Sequence, residues 1–235
     1  MRALDIGSAG GNNYPWEWTG FDVREGTPAL ADYEGDATFY ITRHPDGSSL
    51  LKPNKEFWKD FPAGKKFDVV REEPTKVTTL DSLNLQADFI KIDVQGAEGM
   101  VIRGGINTIK NASCVEVETN FAPRYIGQSY FSEIDVTMRE LGFALMDFKR
   151  RYYKKGNPMV GGPRGQLTHG DALYMKEVVP EEILQYYGYN ASRKKLFPGQ
   201  GRLAHSLKRI GERLTPNSLG GTAGDASLGN RDFLL

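Results

Sequence analysis

The eleven residues of Asp88–Glu98 (DFIKIDVQGAE) constrain the fold more than any other stretch of the chain. Phe89–Ile92 is an apolar run interrupted by one Lys, and its β-branched residues predict a buried strand. Asp93 follows where that strand ends, Gly96 favours a turn, and Glu98 opens a run that suits a helix. Because open α/β sheets bind ligands at the carboxyl ends of their strands, Asp93 is a candidate site residue. The alternative is that Asp93 only caps the turn.

A second stretch has a similar pattern. Arg2–Gly7 predicts a short strand, and Gly7–Gly11 predicts a glycine-rich turn that lets the backbone approach a ligand closely. Asp5 lies towards the end of this strand, where its carboxylate can hydrogen-bond a ligand or the loop itself. Asp22 ends a short second strand, the position from which an acidic residue binds ribose hydroxyls in α/β nucleotide sites. A plain tight loop and a solvated turn explain the same residues without a ligand.

The strand predicted over Cys114–Asn120 alternates apolar and acidic residues. Glu116 and Glu118 fall on one face, and Val115 and Val117 fall on the other, because successive side chains of a strand point to opposite faces. A parallel strand covered on both faces is normally apolar throughout, so the acidic face needs a cause. A polar cavity and an edge position in the sheet are both open explanations.

The order of predicted elements indicates an α/β sheet that is mostly parallel, with an antiparallel C-terminal edge. The clearest helix spans Ser132–Leu141, with Ser132 as its N-cap and Gly142 just past its end. We expect residues 1–179 to form the α/β domain and residues 180–214 to form a helical extension. Residues 215–235, rich in Gly, Ser and Asn, are expected to be disordered.

Composition excludes several classes of protein. Thirty basic residues balance thirty acidic ones, so no overall field favours nucleic acid as a partner. The single Cys114 excludes an internal disulfide and a cysteine-cluster metal site. No apolar run approaches the roughly 20 residues that span a bilayer, and no signal peptide is recognisable. These features predict a cytoplasmic protein without a transmembrane segment.

At the level of motifs, Asp88–Glu98 resembles the signature of the FkbM family of S-adenosylmethionine-dependent methyltransferases. The family usually has Glu where this chain has Gln95. The resemblance covers roughly residues 30 to 178. The further segments that resemble the family, in its order, are Ser48–Leu50, Thr79–Leu83, Val117–Phe121, Tyr125–Gln128, Gly142–Phe143 and Gly165–Leu173.

The resemblance implies a Rossmann-like methyltransferase sheet and S-adenosylmethionine as cofactor. It implies that Gly7 and Gly11 open the loop for the methionine part of the cofactor and that Asp5 contacts the cofactor's amino group. Asp22 would be the acid that binds the ribose hydroxyls. Asp93 would face the transferred methyl group at the mouth of the substrate pocket.

Two departures from the family concern the cofactor region. Ala9 stands where the family commonly has Asn, which removes one polar group. The interval from Gly11 to Asp22 is far shorter than the helix-containing crossover of the family, and a parallel crossover normally takes a dozen or more residues. The sheet is therefore expected to be incomplete or compact on its N-terminal side.

These observations lead to an O-methyltransferase that acts on a sugar hydroxyl or another small polar acceptor. Asp93 is the candidate general base, and Glu118 is a candidate partner. His169 is a weaker candidate, because the family does not generally have a histidine there. The spacing assigns no metal ligand, although two carboxylates would suit a divalent cation. The alternative is a catalytically inactive, methyltransferase-like domain that binds carbohydrate or serves as a scaffold.

Overall fold

Two β-sheets and five α-helices, with short 3-10 turns, make up the regular structure of the residues that the computed structural model describes, which are 1–7, 14–155 and 165–189. The strands are β1 (Ala3–Ile6), β2 (Trp18–Phe21), β3 (Ala29–Leu30), β4 (Gly35–Thr42), β5 (Val69–Thr78), β6 (Phe89–Ile92), β7 (Cys114–Asn120), β8 (Ala144–Tyr153) and β9 (Gln166–Met175). The helices are α1 (Lys55–Trp58), α2 (Glu98–Gly104), α3 (Ile106–Asn111), α4 (Phe131–Glu140) and α5 (Glu181–Tyr186).

The central sheet has six strands in the order β2-β1-β6-β7-β9-β8. Strands β2, β1, β6 and β7 are parallel, whereas β9 runs antiparallel to its neighbours β7 and β8. The predicted α/β class is thus confirmed, and the arrangement is compatible with a Rossmann-like sheet that is mostly parallel and has an antiparallel C-terminal edge. Between β1 and β2, the described residues (Gly7 and 14–17) contain no helix, in line with the predicted short connection.

The register of the parallel strands positions the site. Ile6 lies opposite both Phe21 and Ile92, and Ile92 lies opposite Val117. The residues that follow these positions on β1, β2, β6 and β7 therefore meet at one edge of the sheet. They are Gly7, Asp22, Asp93 and Glu118.

Strand β7 lies inside the sheet, between β6 and β9, so an edge position is the wrong explanation for its acidic residues. Val115 and Val117 are completely buried in the hydrophobic core that helices α2, α3 and α4 cover. Glu116 and Glu118 point to the other face, as the period of two requires. A polar cavity on that face explains them, as described below.

The second sheet has the order β3-β5-β4, with β3 parallel and β4 antiparallel to β5. Strand β5 runs without a break over Val69–Thr78. Pro74, which lacks the N–H that a central strand would donate, is paired within this strand opposite Thr38. Next to this sheet, Trp58 is buried and donates from its indole N–H to the backbone oxygen of Arg124 at 3.0 Å.

Two predicted helix ends can be compared with the structure. Helix α4 begins at Phe131, and the Glu133 carboxylate accepts from the backbone N–H of Tyr130 at 2.7 Å, so Ser132 is not the cap. Gly142, with φ 87°, confirms the expected left-handed residue past the helix.

Helix α5 is the described part of the predicted extension, and the rest of that extension and the tail lie outside the described residues. None of the described helices is long and apolar enough to cross a membrane.

Candidate active site

Asp93 is the first residue after β6, and its side chain is fixed by two neighbours. Lys91 Nζ lies 3.3 Å from Oδ2, and Gln95 Nε2 donates to Oδ1 at 2.7 Å. The backbone N–H of Asp93 donates to the oxygen of Ile6 at 2.8 Å, which ties the end of β6 to the end of β1. The carboxylate is 28% exposed. These contacts hold the carboxylate at the carboxyl end of β6, where Asp93 lines the two cavities described below.

Lys91 is one of the residues at this site to which the sequence assigned no role. Its ammonium group lies 3.8 Å from Asp5 Oδ1 as well as 3.3 Å from Asp93, and the register places it beside Glu116. Burial opposes the charged form, but the carboxylates of Asp93, Asp5 and Glu116 outweigh it and raise the pKa of Lys91. The only sequence signal was a Lys inside an otherwise apolar strand, where a buried cation needs a partner.

A cavity of about 320 Å³ opens at the ends of β1 and β2, and we name it the β1–β2 cavity. Its polar residues include Asp22, Lys91 and Asp93, and Gly7 forms part of its wall. Gly7 has φ 90°, and a Cβ there would lie 1.9 Å from the backbone oxygen of Asp93. Only glycine therefore allows this approach of the two strand ends. The apolar lining residues are Ile6, Phe21, Val23, Pro28, Ala29, Leu30, Phe39, Pro45, Leu50, Val94 and Ala97.

The predicted cofactor residues have different positions relative to this cavity. Asp22 lines it directly, and Gly7 lines it through its backbone. Asp5 is 1% exposed and lies against Lys91, so the lysine rather than Asp5 lines the cavity. Gly11 lies outside the described residues.

Arg24 holds the Asp22 carboxylate in a fixed orientation. Oδ1 accepts from the backbone N–H of Arg24 at 2.8 Å and from its Nε at 2.9 Å, and Oδ2 accepts from a terminal guanidinium nitrogen at 2.7 Å. The side chain of Asp22 is 4% exposed. Such a bidentate arginine–carboxylate pair is among the strong, directional hydrogen-bonded pairs in proteins.

A second cavity, of about 630 Å³, lies over β7, β8 and β9, and we name it the β7–β9 cavity. The two cavities have Lys91 and Asp93 in common, so these residues form the boundary between them. All of the described lining residues of the second cavity carry polar groups, which explains the acidic face of β7. They are Lys91, Asp93, Glu116, Glu118, Lys149, Arg151, Tyr152, Tyr153, His169 and Asp171.

A buried network connects Glu118 with Asp93. The Arg124 side chain is 2% exposed, and one terminal nitrogen donates to Glu118 Oε2 at 3.0 Å and to Asn120 Oδ1 at 3.0 Å. Its other terminal nitrogen donates to Gln95 Oε1 at 3.1 Å. The Gln95 oxygen is thus occupied, and its amide nitrogen faces Asp93. A Glu at this position would place a second carboxylate against Asp93.

Three carboxylates converge at this network. Oxygen atoms of Asp93, Glu98 and Glu118 lie within 4.8 Å of one another, a spacing that can hold a cation. Burial, and to a smaller extent the negative charge of Glu118, raise the pKa of Glu98 to about 8. The hydrogen bond from the backbone N–H of Gly96 lowers this pKa but does not outweigh them. Burial raises the pKa of Glu118 to about 7, against the opposing charge of Arg124. The guanidinium of Arg124 supplies a positive charge next to Glu118.

His169 is neutral at physiological pH. Its Nε2 lies 3.5 Å from Glu118 Oε1, and its Nδ1 lies 2.9 Å from the Thr168 hydroxyl. Burial, together with the charges of Arg124 and Arg151, lowers the pKa of His169 to about 3. Its contact with Glu118 is therefore a polar contact between a neutral ring and a carboxyl group, not an ion pair.

Comparison with known proteins gives one match. Residues 18–145, more than half of the 235 residues, match the family model described as the methyltransferase FkbM domain. The matched range contains Asp22, Asp93 and Glu118 but begins after Asp5 and Gly7. No curated protein and no solved structure matches the chain.

Proposed function

Because the chain belongs to the FkbM methyltransferase family, we propose that it is an S-adenosylmethionine-dependent O-methyltransferase that acts on a sugar hydroxyl or another small polar acceptor. One observation carries the proposal. The β1–β2 cavity, which has both apolar and charged lining residues, and the polar β7–β9 cavity meet at Lys91 and Asp93. Two ligands bound in these cavities would face each other across Asp93, as the transfer of a group requires.

The residues of the β1–β2 cavity fit the cofactor. Its volume of about 320 Å³ is at the small end of the range for ligand cavities, about 300–1,000 Å³. The apolar wall suits an adenine ring, and Asp22 follows β2 where acids of α/β folds bind ribose hydroxyls. S-adenosylmethionine, when bound, supplies a methyl group on a positively charged sulfur. The lining of the cavity carries three carboxylates, those of Asp22, Asp46 and Asp93, and two cations, those of Arg24 and Lys91.

The polar lining of the β7–β9 cavity supports an acceptor rich in hydroxyl groups. Carboxylates, tyrosine hydroxyls and the neutral His169 can accept or donate hydrogen bonds to several hydroxyls at once. Asp93 takes the proton of the hydroxyl that is methylated, as general base. Lys91 and Gln95 hold both oxygens of Asp93, which fixes the direction from which that proton approaches.

Glu118 lines the β7–β9 cavity together with Asp93. Arg124 fixes one of its oxygens, and the raised pKa of the group makes a protonated or hydrogen-bonding role accessible near neutral pH. We propose that Glu118 binds a hydroxyl group of the acceptor and orients it towards Asp93.

A second candidate function rests on Arg24. Its bidentate pair with Asp22 would compete with ribose hydroxyls for the same carboxylate. If the pair persists, the chain is a methyltransferase-like domain that binds its polar ligand without cofactor. This alternative differs from the first in one measurable property, the affinity for S-adenosylhomocysteine.

Thermal unfolding with and without S-adenosylhomocysteine tests the proposal. At 100 times the dissociation constant, binding stabilises the native state by about 2.7 kcal/mol. Asp93→Asn should keep this shift and abolish transfer of labelled methyl groups to a panel of saccharides. Asp36→Asn, at an exposed position of β4, is the matched control. It should change neither the stabilisation by S-adenosylhomocysteine nor the transfer of methyl groups. If millimolar S-adenosylhomocysteine does not shift the unfolding temperature, the proposal that the chain is a methyltransferase is rejected. If Asp93→Asn transfers methyl groups as fast as the wild type, Asp93 is not the general base.

A further inference from the structure

A third cavity, of about 340 Å³, adjoins the β7–β9 cavity, and we name it the tyrosine cavity. Glu116, Lys149 and Asp171 line both cavities, so the two lie side by side. The residues that line only the tyrosine cavity come from the segment before β2, from β8 and β9, and from α5 with the residue after it. They are Tyr14, Asp147, Phe148, Leu173, Tyr186 and Tyr187.

Glu116 organises the aromatic side of this cavity. One of its oxygens accepts from the Tyr14 hydroxyl at 3.2 Å, and the other accepts from the Tyr187 hydroxyl at 2.6 Å. The two phenols come from positions far apart in the sequence and are held beside one carboxylate. This fixes the orientation of both rings before any ligand binds, which lowers the cost of binding.

Tyr186 provides an open aromatic surface. Its ring packs against Tyr14 and Trp16 at centroid distances of 5.3 and 5.1 Å, yet the residue is 45% exposed. Tyr187 packs against the same ring at 5.0 Å, and an exposed tyrosine held in place by three other rings is a rigid, amphipathic contact surface.

The combination of rings and carboxylates determines the class of ligand. A sugar ring has an apolar face of C–H groups, which packs on an aromatic ring, and an edge of hydroxyls, which donate to carboxylates. A cationic ligand would also suit rings and carboxylates. Glu116 already accepts from two phenols and Lys149 lies in the same lining, so Asp147 and Asp171 are the carboxylates that would accept from the hydroxyls of a sugar.

We propose that the tyrosine cavity is a second acceptor subsite, which binds the neighbouring sugar unit of an oligosaccharide or glycoside. The sugar that is methylated then occupies the β7–β9 cavity, with its hydroxyl at Asp93. This inference rests on the proposed function for the identity of the acceptor, but the binding of a two-unit saccharide does not depend on the cofactor. The chain should therefore prefer disaccharides to the monosaccharides that compose them.

Glycan binding by the full chain, without cofactor, tests the subsite. An array of mono-, di- and trisaccharides identifies a disaccharide that binds, and this disaccharide and its two component monosaccharides are then titrated by protein fluorescence. We expect at least a tenfold preference for the disaccharide. Tyr186→Ala should remove the preference, and Tyr186→Phe, which retains the ring, should keep it. Tyr33→Ala is the control, since Tyr33 is 42% exposed and lines none of the three cavities.

Several results would overturn the subsite. They are the absence of any glycan binding, equal affinity for mono- and disaccharide, an unchanged preference in Tyr186→Ala, and binding of choline in place of sugars. Failure of the proposed function gives a different pattern, in which S-adenosylhomocysteine does not bind but the disaccharide preference persists. Methylation of the disaccharide by wild type and Tyr186→Ala at equal rates would reject the subsite and leave the methyltransferase standing.

Discussion

Replacing Arg124 by Met should destabilise the fold far more than a typical surface substitution. The guanidinium is buried and donates to Glu118, Asn120 and Gln95 at 3.0 to 3.1 Å. Met fills the volume of the arginine stem but leaves the Glu118 charge without its partner. Removing one partner of a buried ion pair costs about 3–5 kcal/mol. For a chain of this length, that corresponds to a fall in melting temperature of roughly 6–20 °C.

The penalty should also depend on pH. Without Arg124, Glu118 avoids an unpaired charge by taking up a proton, and its pKa is already raised to about 7 in the wild type. Lowering the pH from 8 to 6 reduces the free-energy cost of protonating Glu118 by about 1.4 kcal/mol per pH unit. We expect the free-energy difference between wild type and Arg124→Met to shrink by about 1–2 kcal/mol over this range.

Urea unfolding, followed by tryptophan fluorescence at pH 8 and pH 6, measures both effects. Glu118→Leu and the double variant complete a cycle, and the double variant should recover at least about 2 kcal/mol relative to the sum of the single changes. Arg139→Met is the control, because its ion pair with Asp135 is at the surface and is worth about 1 kcal/mol or less.

The reasoning fails if Arg124→Met costs less than about 1 kcal/mol at pH 8, or if the two single changes add without coupling. Either result would mean that Glu118 does not depend on Arg124 for its charge.

Two further predictions concern the same end of the sheet. Gly7→Ala should destabilise the fold by at least about 2 kcal/mol in urea, because the residue has φ 90° and the new Cβ would meet the Asp93 backbone oxygen; an unchanged midpoint would contradict the close approach of the strands. The raised pKa of Glu98 means that the native state binds more protons than the unfolded state, so stability should fall by about 1–2 kcal/mol as the pH rises from 6.5 to 8.5. Glu98→Gln should weaken this dependence and leave the smaller part that the raised pKa of Glu118 contributes, and a profile identical to that of the wild type would exclude Glu98 as a source.

The strand and turn around Asp93 were predictable because their signals are local. Phe89–Ile92 is apolar and β-branched, and the positions of Gly96 and Glu98 agree with the observed turn and helix. The acidic alternation of Cys114–Asn120 also predicted a strand correctly. It could not decide between a cavity and an edge, because that choice depends on which strands lie on either side of β7.

The residues that the sequence did not reveal make direct contacts with residues far away in the sequence. Arg124 follows a proline in a loop, and most arginines in loops are exposed, so nothing local indicates that it is buried between Glu118 and Gln95. Tyr14 and Tyr187 meet on Glu116 although they are far apart in the chain. Such contacts follow from the topology of the sheet rather than from any periodicity in the sequence.

Synthesis on the ribosome delivers the strands of the central sheet out of their spatial order. β1 can pair with β2 early, but its other neighbour is β6, with Ala3 opposite Phe89, and the whole second sheet is made in between. Until β6 emerges, one edge of β1 exposes unpaired N–H and C=O groups, which can pair with another chain. The nascent chain can therefore aggregate through this edge until residue 92 is free to fold. The length of this interval is set by the separation of β1 and β6 along the sequence.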